Sequence, residues 1–132
     1  MAETLTFELV SPERKLASTE AEAVTIPGAM GDLTAMAHHA PFLTTLRPGY
    51  VVVASGSDRS TYFVTGGFAE ISDNTVSVLA EEAFEASVVD AAWLDSRISS
   101  AEEALPGVAA DRVQAEQQRI NDLRAIREQV GA

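Results

Sequence analysis

The sequence predicts an all-β N-terminal sandwich of about ten short strands followed by a C-terminal antiparallel two-helix hairpin. Three observations carry that prediction. From Thr4 to about Glu85, apolar and polar residues alternate with the period of a half-buried strand. Six of the eight glycines and four of the five prolines fall in this half, which marks frequent turns. After Ser87 the apolar spacing lengthens to three and four, the period of a helix with one buried face. The domains expected are residues 1–87, a β-sandwich, and residues 88–132, a helical hairpin.

Taken in order, Leu5, Phe7 and Leu9 fall on one face of a strand, with Thr4, Thr6 and Glu8 on the other. Glu20, Glu22, Val24 and Ile26 share a parity and are expected to stop at Pro27-Gly28, a turn pair. Tyr50-Val51-Val52-Val53 and Ser60–Thr65 are β-branched and aromatic, bracketed by Gly49, Gly56 and Gly66-Gly67. Phe68–Ile71 and Thr75–Leu79 flank Asp73-Asn74, whose tolerance of positive φ makes a hairpin the natural reading. In the second half, Ala91, Leu94, Ile98, Ala101 and Leu105 line one helical stripe, with Asp90 as its N-cap. Pro106-Gly107 should stop that helix, because proline has no amide donor and glycine accepts a left-handed end. Ala109, Val113, Ile120, Leu123, Ile126 and Val130 line a second stripe, which Gly131 ends. The short link implies antiparallel helices. A hairpin of about 45 residues buries too little surface to fold securely alone, so it must dock on the sandwich or on another protein.

Acidic residues outnumber basic ones by 20 to 9, a net charge of −11. That balance argues against nucleic acid, whose phosphates need clustered Lys and Arg, and against electrostatic attachment to an anionic membrane surface. No apolar run nears the roughly 20 residues needed to span a bilayer, so direct membrane insertion is not expected. The chain has no cysteine, hence no disulfide framework, thiolate metal site or thiol nucleophile. Residues 109–132 hold four acids and four of the eight arginines: Arg112, Arg119, Arg124 and Arg127. Interleaved helical charges of this kind read first as a solvated face with weak local pairs.

Enzymatic signatures are missing. The phosphate loop, the dinucleotide fingerprint, the nucleophile elbow and the HExxH zinc motif do not occur. His38 and His39 are adjacent in a turn-rich stretch, and neighbouring histidines seldom converge on one metal. One reads as a hydrogen-bonded turn residue and the other as solvated. Glu81, Glu82 and Glu85 form the densest carboxylate group. A glycosidase-like pair of Glu81 and Glu85 gives the alternative reading, a free-standing β-sandwich enzyme or ligand-binding protein. So small a sandwich offers little cleft in which to desolvate such a pair. No catalytic residue, metal site or cofactor is expected.

Between Gly31 and Gly49 the chain stops being generic. Gly31-Asp32-Leu33, His39-Ala40-Pro41-Phe42-Leu43-Thr44 and Leu46-Arg47-Pro48-Gly49 together closely resemble the epsilon subunit of the F-type rotary ATP synthase. Phe7–Glu13, Gly66–Ile71 and Thr75–Glu81 follow in that family's order and spacing, so the resemblance covers essentially residues 4–90. It implies a non-catalytic central-stalk subunit that joins the gamma subunit to the c-ring and couples proton flow to ATP synthesis. It further implies a peripheral place on the cytoplasmic face of a bacterial inner membrane, since no transit peptide precedes Thr4. By resemblance, the loops carrying Asp32 and His39 lie toward the ring. The residues expected at the c-ring and gamma interface are Asp32, His38, His39, Ala40, Pro41 and Phe42. A proline-stiffened turn with a polar tip suits that role, because it loses little entropy on docking.

The chain departs from the family at three places. Thr34 stands where members commonly have Gly, and His38 where they have Gly or Asn. ATP-sensing members carry [IL]-D-x-x-R-A at the first helix, whereas Val89-Asp90-Ala91-Ala92-Trp93-Leu94 puts tryptophan in place of the arginine. An indole supplies no bidentate cation for phosphate, so ATP binding is not expected. In many relatives the helices extend into the catalytic head and block hydrolysis. Here Arg112, Arg119, Arg124 and Arg127 are the residues expected to meet acidic segments of the alpha and beta subunits, diluted by the four acids beside them.

Overall fold

A computed structural model describes residues 3–130 of the chain, which divides into two compact units, Met1–Ala86 and Ser87–Ala132. The first unit contains β1 (Leu5–Val10), β2 (Lys15–Ala21), β3 (Ala23–Gly28), β4 (Gly31–Met36) and β5 (Phe42–Leu46). It continues with β6 (Gly49–Ser55), β7 (Asp58–Val64), β8 (Gly67–Ile71), β9 (Thr75–Ala80) and β10 (Ala83–Glu85). The hydrogen-bonded order is β10-β7-β6-β3-β5-β8-β9-β1-β2, with β4 also paired to β3. Between β3 and β5 the path hangs on one residue pair, Gly28 opposite Leu46. The ladder therefore falls into two five-stranded layers, β4-β3-β6-β7-β10 and β5-β8-β9-β1-β2, the sandwich that the period-two pattern predicts.

Strand parity decides what lies between the layers. Leu5, Phe7 and Leu9 are buried while Thr6, Glu8 and Val10 are half-exposed. Val24 and Ile26, Val51 and Val53, and Val76 and Val78 join them in a single apolar core. Phe7 stacks on Tyr62 with ring centroids 6.4 Å apart. Strands β1 and β9 pair in parallel, a long-range pairing that closes the second layer.

Two expected turns differ. Pro27-Gly28 lies inside β3, paired with Asp32 and Gly31, and the chain reverses at Ala29-Met30 instead. The joint between the layers explains this. The Pro27 carbonyl accepts the Arg47 N–H at 3.0 Å, and a Cβ on Gly28 would stand 2.9 Å from the Gly31 carbonyl oxygen. The hairpin at Asp73-Asn74 forms, but neither residue is left-handed, and the Ser72 N–H closes it by donating to the Thr75 carbonyl at 2.9 Å.

In the second unit, α1 (Ala91–Ala104) and α2 (Val113–Val130) are linked through 3₁₀ turns at Leu105–Gly107 and Ala110–Arg112. Asp90 caps α1 as its sequence position predicts, its Oδ1 accepting the Trp93 N–H at 2.9 Å. Leu94 and Ile98 of α1 and Ile120, Leu123 and Ile126 of α2 are buried. Arg124 pairs with Glu102, and Arg127 with Asp95. As the α2 partner moves forward the α1 partner moves back, the order an antiparallel pair requires. Gly107 takes no left-handed φ, since Leu105 is still right-handed and the chain winds down through the 3₁₀ turn. Ala109, Val113 and Val130 are exposed, because the apolar seam occupies only the middle of α2. Asp122 is buried there instead, accepting a hydrogen bond from Gln118 Nε2 at 3.0 Å. Gly131 lies outside the described residues.

Candidate functional site

The β4–β5 loop carries most of the residues that the sequence singles out. Met36 ends β4, the chain turns through Ala37-His38, and His39-Ala40-Pro41 leads into β5. His38 has φ 67°, the one left-handed non-glycine among the described residues. Its N–H donates to the Asp73 carbonyl at 2.7 Å, which ties the loop to the β8–β9 turn. Its ring lies 2.7 Å from Glu3 Oε2 through Nε2 and 3.5 Å from Asp73 Oδ1 through Nδ1. The His39 Nδ1–H donates to the Ala40 carbonyl at 2.6 Å. Both histidines are thus engaged, where one was expected to be merely solvated. Met36, Phe42 and Leu43 rim the loop at 58%, 48% and 64% exposure. Three large apolar side chains are thus exposed close in sequence to this polar loop.

Asp32 is not part of this group. It pairs with Pro27, two residues from the Ala29-Met30 tip and at the opposite end of β4 from His38. Four strand steps separate it from Met36, roughly 13 Å. Met30 at that tip is 99% exposed, and the Ala29 N–H holds the tip to β5 by donating to the Thr45 carbonyl at 2.9 Å. Thr34, one of the family departures, uses its hydroxyl: Oγ1 lies 2.9 Å from Thr25 Oγ1 across the strand pair.

A second surface was missed in the sequence. Val10, Leu79 and Phe68 are direct cross-strand neighbours on β1, β9 and β8, and they face away from the core. Together with Pro12, Gly67 and Glu81 they line an open, mainly apolar groove of about 480 Å³. Gly67 is left-handed at φ 125°, and a Cβ there would sit 2.2 Å from the Leu79 carbonyl oxygen. Only glycine therefore lets β8 approach β9 at the groove. The signal lay in parity, since these apolar residues occupy strand positions that elsewhere carry Thr, Ser or Glu.

Glu81 lines this groove and a smaller hollow of about 200 Å³ beside Glu13, Arg14 and Glu82. Glu85 stands on β10 opposite Tyr62, exposed, and lines neither hollow. The two carboxylates do not share a cleft there. Among the described residues no three His, Asp or Glu side chains cluster as a metal site.

On the helices, Arg127 Nε lies 2.8 Å from Asp95 Oδ1, and Arg124 makes a close pair with Glu102. Arg112 stands 3.9 Å from Glu116 one turn on, and Arg119 is half-buried. The Arg97 guanidinium lies over the Trp93 ring, 4.7 Å from its centroid, a cation–π contact at the position of the motif arginine.

The chain thus combines a β-sandwich that exposes two apolar surfaces with a pair of helices. Residues 4–86 match the family model described as ATP synthase, Delta/Epsilon chain, beta-sandwich domain. The chain is 50% identical to the ATP synthase epsilon chain of Fuscovulum blasticum over 99% of both chains. It is 44% identical to that of Cereibacter sphaeroides (strain ATCC 17025), again over 99% of both. A chain of the Euglena gracilis mitochondrial ATP synthase, solved as OSCP/F1/c-ring, shares the fold. Its TM-score is 0.72 at 20% identity, covering 93% of this chain and 81% of that one. The chain belongs to the ATP synthase epsilon-chain family, as a structural or regulatory subunit rather than the catalytic one. Among the described residues no helix is long and apolar enough to cross a membrane.

Proposed function

We propose that the sandwich joins the gamma subunit to the c-ring as part of the central stalk, so that proton flow and ATP synthesis stay coupled. The observation that carries this reading is the placing of two docking surfaces at opposite ends of strands β8 and β9. The polar loop 37–41, with Met36, Phe42 and Leu43 around it, sits at the Asp73 end. The apolar groove of Val10, Phe68 and Leu79 sits at the other. A tip with exposed polar groups suits the polar loops of a ring, and an apolar groove suits a tighter, permanent hold on a shaft. The Met30 hairpin that carries Asp32 is tied to Thr45, opposite Phe68, so in this reading Asp32 lies toward the end proposed for gamma and not with the histidine loop. The complex would hold the chain peripherally, on the cytoplasmic face of a bacterial inner membrane.

The native chain has no cysteine, so single-cysteine variants report contacts cleanly. Pro41→Cys should cross-link to a c subunit and Phe68→Cys to gamma in the assembled complex. Absence of both products would refute the reading.

Inhibition of hydrolysis by the helices is the regulatory extension of the same proposal. Arg124 and Arg127 are committed to Glu102 and Asp95, so any contact with acids of the catalytic head must compete with these pairs. Truncation after Ser87 should raise ATP hydrolysis by the assembly, and an unchanged rate would leave the helices structural. ATP itself should not bind, since the motif arginine is replaced by Trp93. Saturable binding below about 1 mM would contradict that.

A further inference from the structure

We propose that His38 is a positioning residue that works as a proton-dependent clamp on the docking loop. As an imidazolium bridging Glu3 and Asp73, it holds the left-handed backbone that presents His39-Ala40-Pro41. The clamp stands on the geometry alone, while its consequence for ring contact rests on the function proposed above.

A side chain at φ 67° is strained unless its surroundings determine it, and histidine tolerates this region better than most residues but less well than glycine. Two kinds of contact supply the determination. The His38 N–H is fixed to the Asp73 carbonyl at 2.7 Å, and the ring is flanked by carboxylates at both nitrogens. Glu3 comes from the segment before β1 and Asp73 from the β8–β9 turn, so the ring joins three separate stretches of chain. Among the described residues, Glu3 and Asp73 are the charged groups that face the ring.

The protonation state follows from donor arithmetic. Neutral imidazole carries one N–H and one lone pair, so it can satisfy one of these carboxylates and must turn a lone pair toward the other. Only the imidazolium presents N–H to both. Imidazole is the side-chain type whose charge changes near neutral pH, where carboxylates as a class keep theirs. Protonation therefore tightens the clamp, and the loop's order rises as the pH falls. The neighbouring His39 does not substitute for it, because its Nδ1–H is turned to the Ala40 carbonyl of its own loop.

Amide hydrogen exchange on the full chain tests this, with rates corrected for the intrinsic effect of pH. Protection of residues 37–40 should increase roughly two- to fivefold from about pH 8 to pH 5.5, the range that exposed ion pairs supply. His38→Asn keeps a residue that accepts positive φ and removes the ring, and should flatten this response. The double variant Glu3→Gln with Asp73→Asn keeps the ring, removes both charges, and should flatten it too, which secures the test if the first variant folds poorly. A flat response in the parent chain, or an unchanged response in either variant, overturns the clamp. Cross-linking of Pro41→Cys in the assembled complex separates the two levels. A pH-responsive loop that never reaches the ring upholds the clamp and refutes the ring assignment.

Discussion

The sandwich and the helical unit are held together by different means. In the sandwich, side chains from both layers meet in one apolar core, with Phe7, Leu9, Val24, Ile26, Val51, Val76 and Val78 fully buried. In the helical unit, Leu94 and Ile98 face a seam of Ile120, Leu123 and Ile126, and ion pairs with exposed partners finish the contact. Apolar burial is not screened by salt and is hard to lose piecemeal, whereas ion pairs at a surface are weak and screened. The difference is one of stiffness: a body held by a shared apolar core, and a helical pair held by a thin seam.

The largest test of that contrast is Phe7→Ala. It should destabilise the sandwich by about 3–5 kcal/mol in denaturant unfolding, the cost of emptying a packed aromatic site. A loss below about 0.5 kcal/mol, the size of a surface substitution, would break the comparison. Leu94→Ala should cost the helical unit about 2–5 kcal/mol, lowering the helical circular dichroism signal while the sandwich keeps its unfolding midpoint. Simultaneous loss of both would mean that the two units fold as one.

How much of this was legible in the sequence depends on the range of the interaction. The period-two runs of β1 and β9, the Asp90 cap and the buried middle of each helical stripe were legible because each is written within a few residues. The parallel pairing of β1 with β9 was not, since partners some 69 positions apart leave no local trace. Pro27-Gly28 misled as turn residues because their role is set by the joint with Leu46 and Arg47. Burial of Asp122 was hidden for a similar reason, a charged residue on a helix reading as solvated. At the β4–β5 loop, residues 38–42 were legible as one turn-rich stretch, but the left-handed state of His38 and its two carboxylate partners depend on Glu3 and Asp73, distant in sequence. The groove at Val10, Phe68 and Leu79 leaves only a faint trace, apolar residues at strand positions of outward parity.

Smaller effects sharpen the contrast. A double-mutant cycle on Asp95 and Arg127 should give a coupling of about 0.2–1 kcal/mol that fades in 1 M salt. A coupling that survives high salt would mean the pair is shielded and the helical unit stiffer than described. Tyr50 gives the smallest effect. Burial pushes its hydroxyl above the usual value of 10.0, and its ring meets Phe63 edge-on at 5.3 Å. The folded sandwich thus resists an ionisation that the unfolded chain accepts. This contribution is constant below about pH 10 and is lost as the pH rises beyond it. Tyr50→Phe should flatten that alkaline decline, as read from unfolding midpoints between about pH 9 and 11.

The proposal that a rigid, non-catalytic body couples the shaft to the ring is tested most directly by proton pumping per ATP hydrolysed in reconstituted vesicles. Omitting the chain should leave hydrolysis running while pumping collapses, and adding it back should restore the ratio. Full pumping without the chain would contradict the account.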